Sequence, residues 1–148
     1  MYKHILIATD GSELAGKGLV HGLGLAKALG AAVTVVTVTD FWSPLAMANE
    51  ALRGKRNPAD EYEAVMANTA KRILDAARSK ATAEGVDART IHIADKHPGE
   101  GIVDTATEIG CDLIVMSSHG RRGAKRLMLG SQTAEVVTHT TIPVLVIR

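Results

Sequence analysis

Apolar residues in this chain fall into short, dense runs, separated by longer stretches in which they recur every three or four positions. Four runs are rich in β-branched residues and too short for helices: Ile5 to Ala8, Ala32 to Val38, Leu113 to Met116 and Ile142 to Ile147. Runs of this kind, without polar alternation, predict strands buried on both faces, and such strands predict a parallel sheet. A fifth run, Ala88 to Ala94, sets Ile91 and Ile93 against His92, the weaker alternation of a strand nearer an edge. Helical spacing fills the intervals. Between Ser12 and Leu29, the residues Ala15, Leu19, Gly22, Ala26 and Leu29 recur on one face, with Ser12 or Asp10 able to cap the start and Gly30 the end. Pro58 to Glu84 is the longest helical pattern, with Tyr62, Met66, Thr69, Ile73 and Ala77 along one side, a stripe that reads as core packing. Shorter helices are predicted from Gly99 or Glu100 to Ile109 and from Ser131 to Thr140.

The predicted order is β-α-β-α-β-α-β-α-β. With right-handed crossovers it gives an α/β fold, a three-layer α/β/α sandwich around a five-stranded, mostly parallel sheet. At 148 residues the expectation is one domain, residues 1–148. In such sheets a ligand sits outside the carboxyl ends of the strands, where the strand order reverses. That singles out three loops: Thr9-Asp10-Gly11, Thr39-Asp40, and Ser117 to Leu129. Residues 40–57 form a long connection that holds the only Phe and Trp, Phe41 and Trp42, and is broken by Ser43-Pro44. It reads either as a partly ordered crossover near the site or as a plain surface loop.

Charge and composition narrow the function. Lys and Arg number 17 against 16 Asp and Glu, a net +1, so no global basic field favours general nucleic-acid binding. Cys111 is the only cysteine, which rules out an intramolecular disulfide and a thiolate-cluster metal site; it reads as a small buried residue. His4, His21, His92, His97, His119 and His139 show no tight ligand spacing. No run reaches the roughly 18 apolar residues of a membrane helix, and the start lacks the features of a signal peptide. The expectation is a soluble, cytoplasmic protein with no membrane partner.

Two stretches invite a phosphate. Gly11 to Lys17 matches phosphate-loop spacing, but Gly18 stands where Ser or Thr would hold magnesium, and the intervening residues carry helical spacing; helix-to-sheet packing is the simpler account of these glycines. The second, Met116 to Ser131, leaves a buried strand and ends where a helix starts, so Gly130 and Ser131 would turn free N–H groups and a positive dipole end toward the crevice. Ser131 could cap that helix, and Arg121, Arg122, Lys125 and Arg126 concentrate positive charge. A solvated basic loop is the alternative reading. Ser118 and His119 are sequence neighbours, and adjacency alone makes neither a nucleophile nor its base.

This second stretch resembles the nucleotide-binding signature of the universal stress protein family, Gly-x2-Gly-x9-Gly-[Ser/Thr], with Gly120 as the second glycine and Gly130-Ser131 as its end. Tyr2 to Ser12 resembles the family's opening strand and acidic turn, and Ile142 to Ile147 its closing strand. The resemblance covers the whole chain and implies a Rossmann-like, adenine nucleotide alpha-hydrolase-like sheet that binds ATP or another adenine nucleotide, with Mg²⁺. It implies that Asp10 approaches the ribose or the metal-phosphate region, that Ala8, Thr9 and Val38 lie near the adenine, and that Met116, Ser118, His119, Gly120, Arg121, Gly130, Ser131, Gln132 and Thr133 line the phosphate side. It further implies a role in the cellular stress response, a homodimer closed by the last strands, Ile142 to Ile147, and at most slow ATP hydrolysis or autophosphorylation, with no catalytic residue assigned. The departure is Ser117, which replaces the first glycine. Were positive φ required there, serine would cost on the order of 1 kcal/mol. A nucleotide-free, homodimeric interaction module is the competing class, and under it Ser117→Gly should create binding.

Overall fold

In the computed structural model, residues 1–120 and 128–148 are described. The elements are β1 (His4–Ala8), α1 (Glu13–Leu29), β2 (Ala32–Val38), α2 (Pro44–Leu52), α3 (Pro58–Ala83), β3 (Ala88–Ile93), α4 (Pro98–Glu108), β4 (Leu113–Ser117), α5 (Ser131–His139) and β5 (Val144–Ile147). The strands form one sheet in the order β3-β2-β1-β4-β5, and all its pairings are parallel. This is the expected five-stranded parallel α/β fold.

Two apolar layers flank the sheet. On one face Leu19, Leu23 and Ala26 of α1 and Leu74, Ala77 and Ala81 of α3 cover Ile5, Ile7, Val33 and Val35. On the other, Ile102 and Ala106 of α4 and Val136 of α5 cover Leu6, Val36, Ile114 and Met116. Alternate residues of one strand thus serve opposite cores, which is why Ile5 to Ala8 of β1 and Leu113 to Met116 of β4 show no polar position.

The glycines of α1 explain its close seating. A Cβ on Gly22 would lie 2.6 Å from Ile7 Cδ1, and one on Gly18 would lie 3.6 Å from the Ser117 amide nitrogen. The Ser12 hydroxyl accepts from the Ala15 amide at 3.2 Å, and Gly30 ends the helix in the left-handed region at φ 63. The phosphate-loop-like spacing is therefore helix from Glu13 onward and forms no phosphate loop.

Three expectations are corrected. Residues 40–57 contain a helix: the Ser43 hydroxyl accepts from the Ala46 amide at 3.1 Å and Pro44 occupies the first helical turn. Ser-Pro starts this segment instead of breaking it, because proline's missing N–H costs nothing at a helix start. No residue of α2 is buried, and Leu45 and Leu52 of its apolar side stand exposed. The buried stripe of α3 is Ala70, Leu74, Ala77 and Ala81, whereas Tyr62, Met66, Thr69 and Ile73 are only half-buried; alanine lets the helix close on the sheet, and the larger residues lie along its margin. Finally, β5 is not buried on both faces. It begins at Val144 at the edge of the sheet, and Leu145 is 37% exposed. The other edge, β3, is partly exposed, as its alternation suggested.

Candidate functional site at the carboxyl edge

Strand order turns at β1 and β4: β2 lies on one side of β1, while the chain returns to the other side only at β4. The loops leaving these two strands part there and leave a crevice. On the β1 side, the Asp10 carboxylate accepts from the Ser12 amide at 2.9 Å and the Thr9 hydroxyl from the Gly11 amide at 3.2 Å, with Gly11 at φ 77. This local bonding folds the acidic turn back on itself ahead of α1. On the β4 side, a Cβ on Gly120 would lie 2.8 Å from Asp10 Oδ2. Glycine at 120 is what lets the second loop approach the carboxylate.

The end of β4 is tied to the start of α5 by a small network. The Gly130 amide donates to the Ser118 carbonyl at 2.7 Å, and the Thr133 hydroxyl, 2% exposed, sits 3.0 and 3.1 Å from the Ser117 and Ser118 carbonyls. A Cβ on Gly130 would come within 3.1 Å of the Ser118 carbonyl oxygen, so a side chain there would push the loop ends apart. The Ser117 hydroxyl donates to the His119 carbonyl at 2.8 Å, and the Ser118 hydroxyl lies 3.0 Å from His119 Nδ1. Ser117 and Ser118 are both buried.

This geometry revises several sequence expectations. The Gly130 N–H is not free, since it closes the turn onto Ser118. Gly130 itself is the N-cap, without a side-chain cap, and Ser131 is the first helical residue. The amides without an acceptor inside the helix are those of Ser131, Gln132 and Thr133, which precede the first helical bond, from the Ala134 amide to the Gly130 carbonyl. Ser117 is unstrained: among the described residues the only non-glycine with positive φ is Asp95, at 54, and Ser117 is the last residue of β4, in register with Ile147. The Met116 side chain belongs to the core under α4 and α5, and Val38 packs beside it, a Cβ on Gly101 of α4 falling 2.9 Å from Val38 Cγ1. What these two offer the crevice is main chain.

Ala8, Thr9, Asp10, Ser117 to Gly120 and Gly130 to Thr133 thus meet around the β1 and β4 ends, with Val38 one strand away. Arg121, together with Arg122, Lys125 and Arg126, lies outside the described residues. The structure adds residues that spacing did not single out. The Gly99 amide at the start of α4 donates to Gln132 Oε1 at 2.8 Å, and Glu135 fills the space where a Gly99 Cβ would project. The glycines flanking Glu100 were the available signal, since two in a helix's first turn imply close approach by a neighbour. Arg72 and Thr69 of α3 border a groove of about 390 Å³ beside Thr9, Gly11 and Ser12.

A parallel sheet of this order, with an acidic turn facing a glycine-closed helix start at its switch point, defines a doubly wound α/β protein of the kind built around its carboxyl edge. The sequence profile of the Universal stress protein family matches residues 1–148, and the chain belongs to that family. It is 33% identical over 152 residues to Universal stress protein YxiE of Bacillus subtilis, covering all of both chains. Its fold is similar to the solved structure of MJ0577 from Methanocaldococcus jannaschii, with TM-score 0.81, 28% identity and coverage of 99% of this chain and 96% of that one. It is also similar to the universal stress protein from Archaeoglobus fulgidus in complex with dAMP, with TM-score 0.67, 25% identity and coverage of 99% and 98%. Among the described residues, no helix is long and apolar enough to cross a membrane.

Proposed function

We propose that the crevice binds an adenine nucleotide, ATP with Mg²⁺ foremost, and that occupancy biases the interactions of a cytoplasmic stress-response protein. The observation that carries this reading is the closure of Gly130 onto Ser118, which sets the positive end of α5, with the amides of Ser131, Gln132 and Thr133 that have no acceptor inside the helix, beside the end of β4. Gly120 and the exposed Ser131 hydroxyl stand beside them, and Arg121, outside the described residues, is the cation the sequence offers for the phosphates. Asp10 serves the ribose hydroxyls or the magnesium ion, because a bare carboxylate would repel phosphate. The main chain at Ala8, Thr9 and Val38 takes the base, with Met116, His119 and Ser117 behind it. The A. fulgidus relative bound to dAMP supports an adenine ligand. The Gln132 carbonyl is engaged by α4 and the Thr133 hydroxyl by the turn, so their main-chain amides are the groups they contribute.

A homodimer accompanies this reading, formed where, among the described residues, no strand pairs with the outer edge of β5 and Leu145 is exposed. Isothermal titration with MgATP tests the function, and native mass spectrometry tests the dimer. Saturable heat and a rise in Tm are expected; neither heat nor shift at millimolar nucleotide overturns the reading.

A further inference from the structure

The segment 40–42 leaves β2 two residues after Val38 and is held from both helical layers at once. From the α4 layer, His97 Nδ1 lies 3.1 Å from Asp40 Oδ1, and the His97 ring meets Phe41 edge-on with centroids 5.5 Å apart. From the α3 layer, Tyr62 stacks on Trp42 at 4.9 Å with an interplanar angle of 8°, and its hydroxyl donates to the Asp40 carbonyl at 3.2 Å. Beyond it comes α2, nine residues with none buried. So short a helix is marginal alone, and no core residue fastens this one. Its position rests on contacts at its two ends: this cluster, and the chain of Glu50, Lys55 and Glu61 at the other.

His97 is also the N-cap of α4. Within five residues this helix start holds segment 40–42 through His97, bonds Gln132 of α5 through the Gly99 amide, and at Gly101 leaves the space that Val38 fills. One turn of helix therefore adjoins segment 40–42, the end of β2 and the start of α5. The side chains of Asp40 and His97 are 49% and 62% exposed, and exposed pairs of this kind are weak and reversible.

We propose that residues 40–57 are a strap latched over the β2 end of the crevice by His97 and Tyr62, which unlatches to admit and release the nucleotide, with the start of α4 relaying occupancy to the latch. This rests on the binding function proposed above. The sole tryptophan is the reporter. In stopped-flow mixing with MgATP, Trp42 emission should change at the rate of binding, and hydrogen exchange at 41–57 should slow in the complex. His97→Ala and Asp40→Asn, both at exposed positions, should raise the MgATP dissociation rate about three- to fivefold, the upper range for losing one exposed pair, and raise exchange in the free strap. Calorimetric binding with a silent Trp42, unchanged exchange, and variant dissociation rates within about twofold of wild type would overturn the strap alone. No calorimetric binding of MgATP to the wild-type chain overturns the functional reading and the relay with it.

Discussion

Ser117→Gly restores the residue that the family signature carries and separates the two accounts of this chain. If serine had closed the pocket, glycine would open it. The structure argues otherwise. Ser117 lies in extended strand, its hydroxyl turned onto the His119 carbonyl at 2.8 Å. The substitution removes one hydrogen bond, about 1 kcal/mol net, and adds the backbone entropy of glycine in a strand, about 0.5–1 kcal/mol. Together these come to about 2 kcal/mol, or roughly 6 °C in Tm for a domain of this size. Urea and thermal unfolding should record that loss, while titration with MgATP should give an affinity within about threefold of wild type, a difference of roughly 0.6 kcal/mol. A glycine variant as stable as wild type would refute the assignment of the hydrogen bond. A glycine variant that binds where wild type does not would refute the proposed function and favour the nucleotide-free module.

Other consequences can be measured independently. Thr133→Val keeps the shape of a buried side chain but leaves the Ser117 carbonyl without its donor, and should cost about 1–3 kcal/mol in urea unfolding; a loss below about 0.5 kcal/mol, the scale of an ordinary surface change, would contradict the clamp. Burial, aided by the Asp112 carboxylate, pushes the Cys111 thiol up to about 11. Native protein should resist a thiol reagent at pH about 8, near the ordinary thiol value, that labels unfolded protein at once. Because the unfolded thiol ionises first, the stability Cys111 supports is intact below its unfolded value and is lost as pH rises toward 11; Cys111→Ala should flatten that limb. The amides of His4 and Lys3 hold the Asp112 carboxyl below the usual carboxylate range. Its contribution is present above the unfolded value, about 3.9, and is lost as pH falls through the lower folded one, so Asp112→Asn should blunt acid unfolding.

What was legible in the sequence follows from local physics. Doubly apolar runs mark strands because a sheet covered by helices has no wet face, and glycine after a helical period marks a left-handed cap, so β1, β2, β4, α1 and Gly30 could be read directly. The acidic turn, Gly120 and Gly130 were legible because close main-chain approach needs glycine wherever it occurs. Tertiary structure decided the rest. An apolar run does not reveal whether a neighbour lies beyond it, so β5 reads like β4 and yet stands at an edge. The helix α2, between Ser43 and Arg53, is nine residues long and buries no residue, too short for the spacing of Leu45, Ala48 and Leu52 to stand out from a loop. Whether Ser117 strains its backbone depends on φ, which pairing with β5 sets. That His97, Asp40, Tyr62 and Trp42 form one cluster could not be read from spacing, because three separate elements must first pack around the same rim.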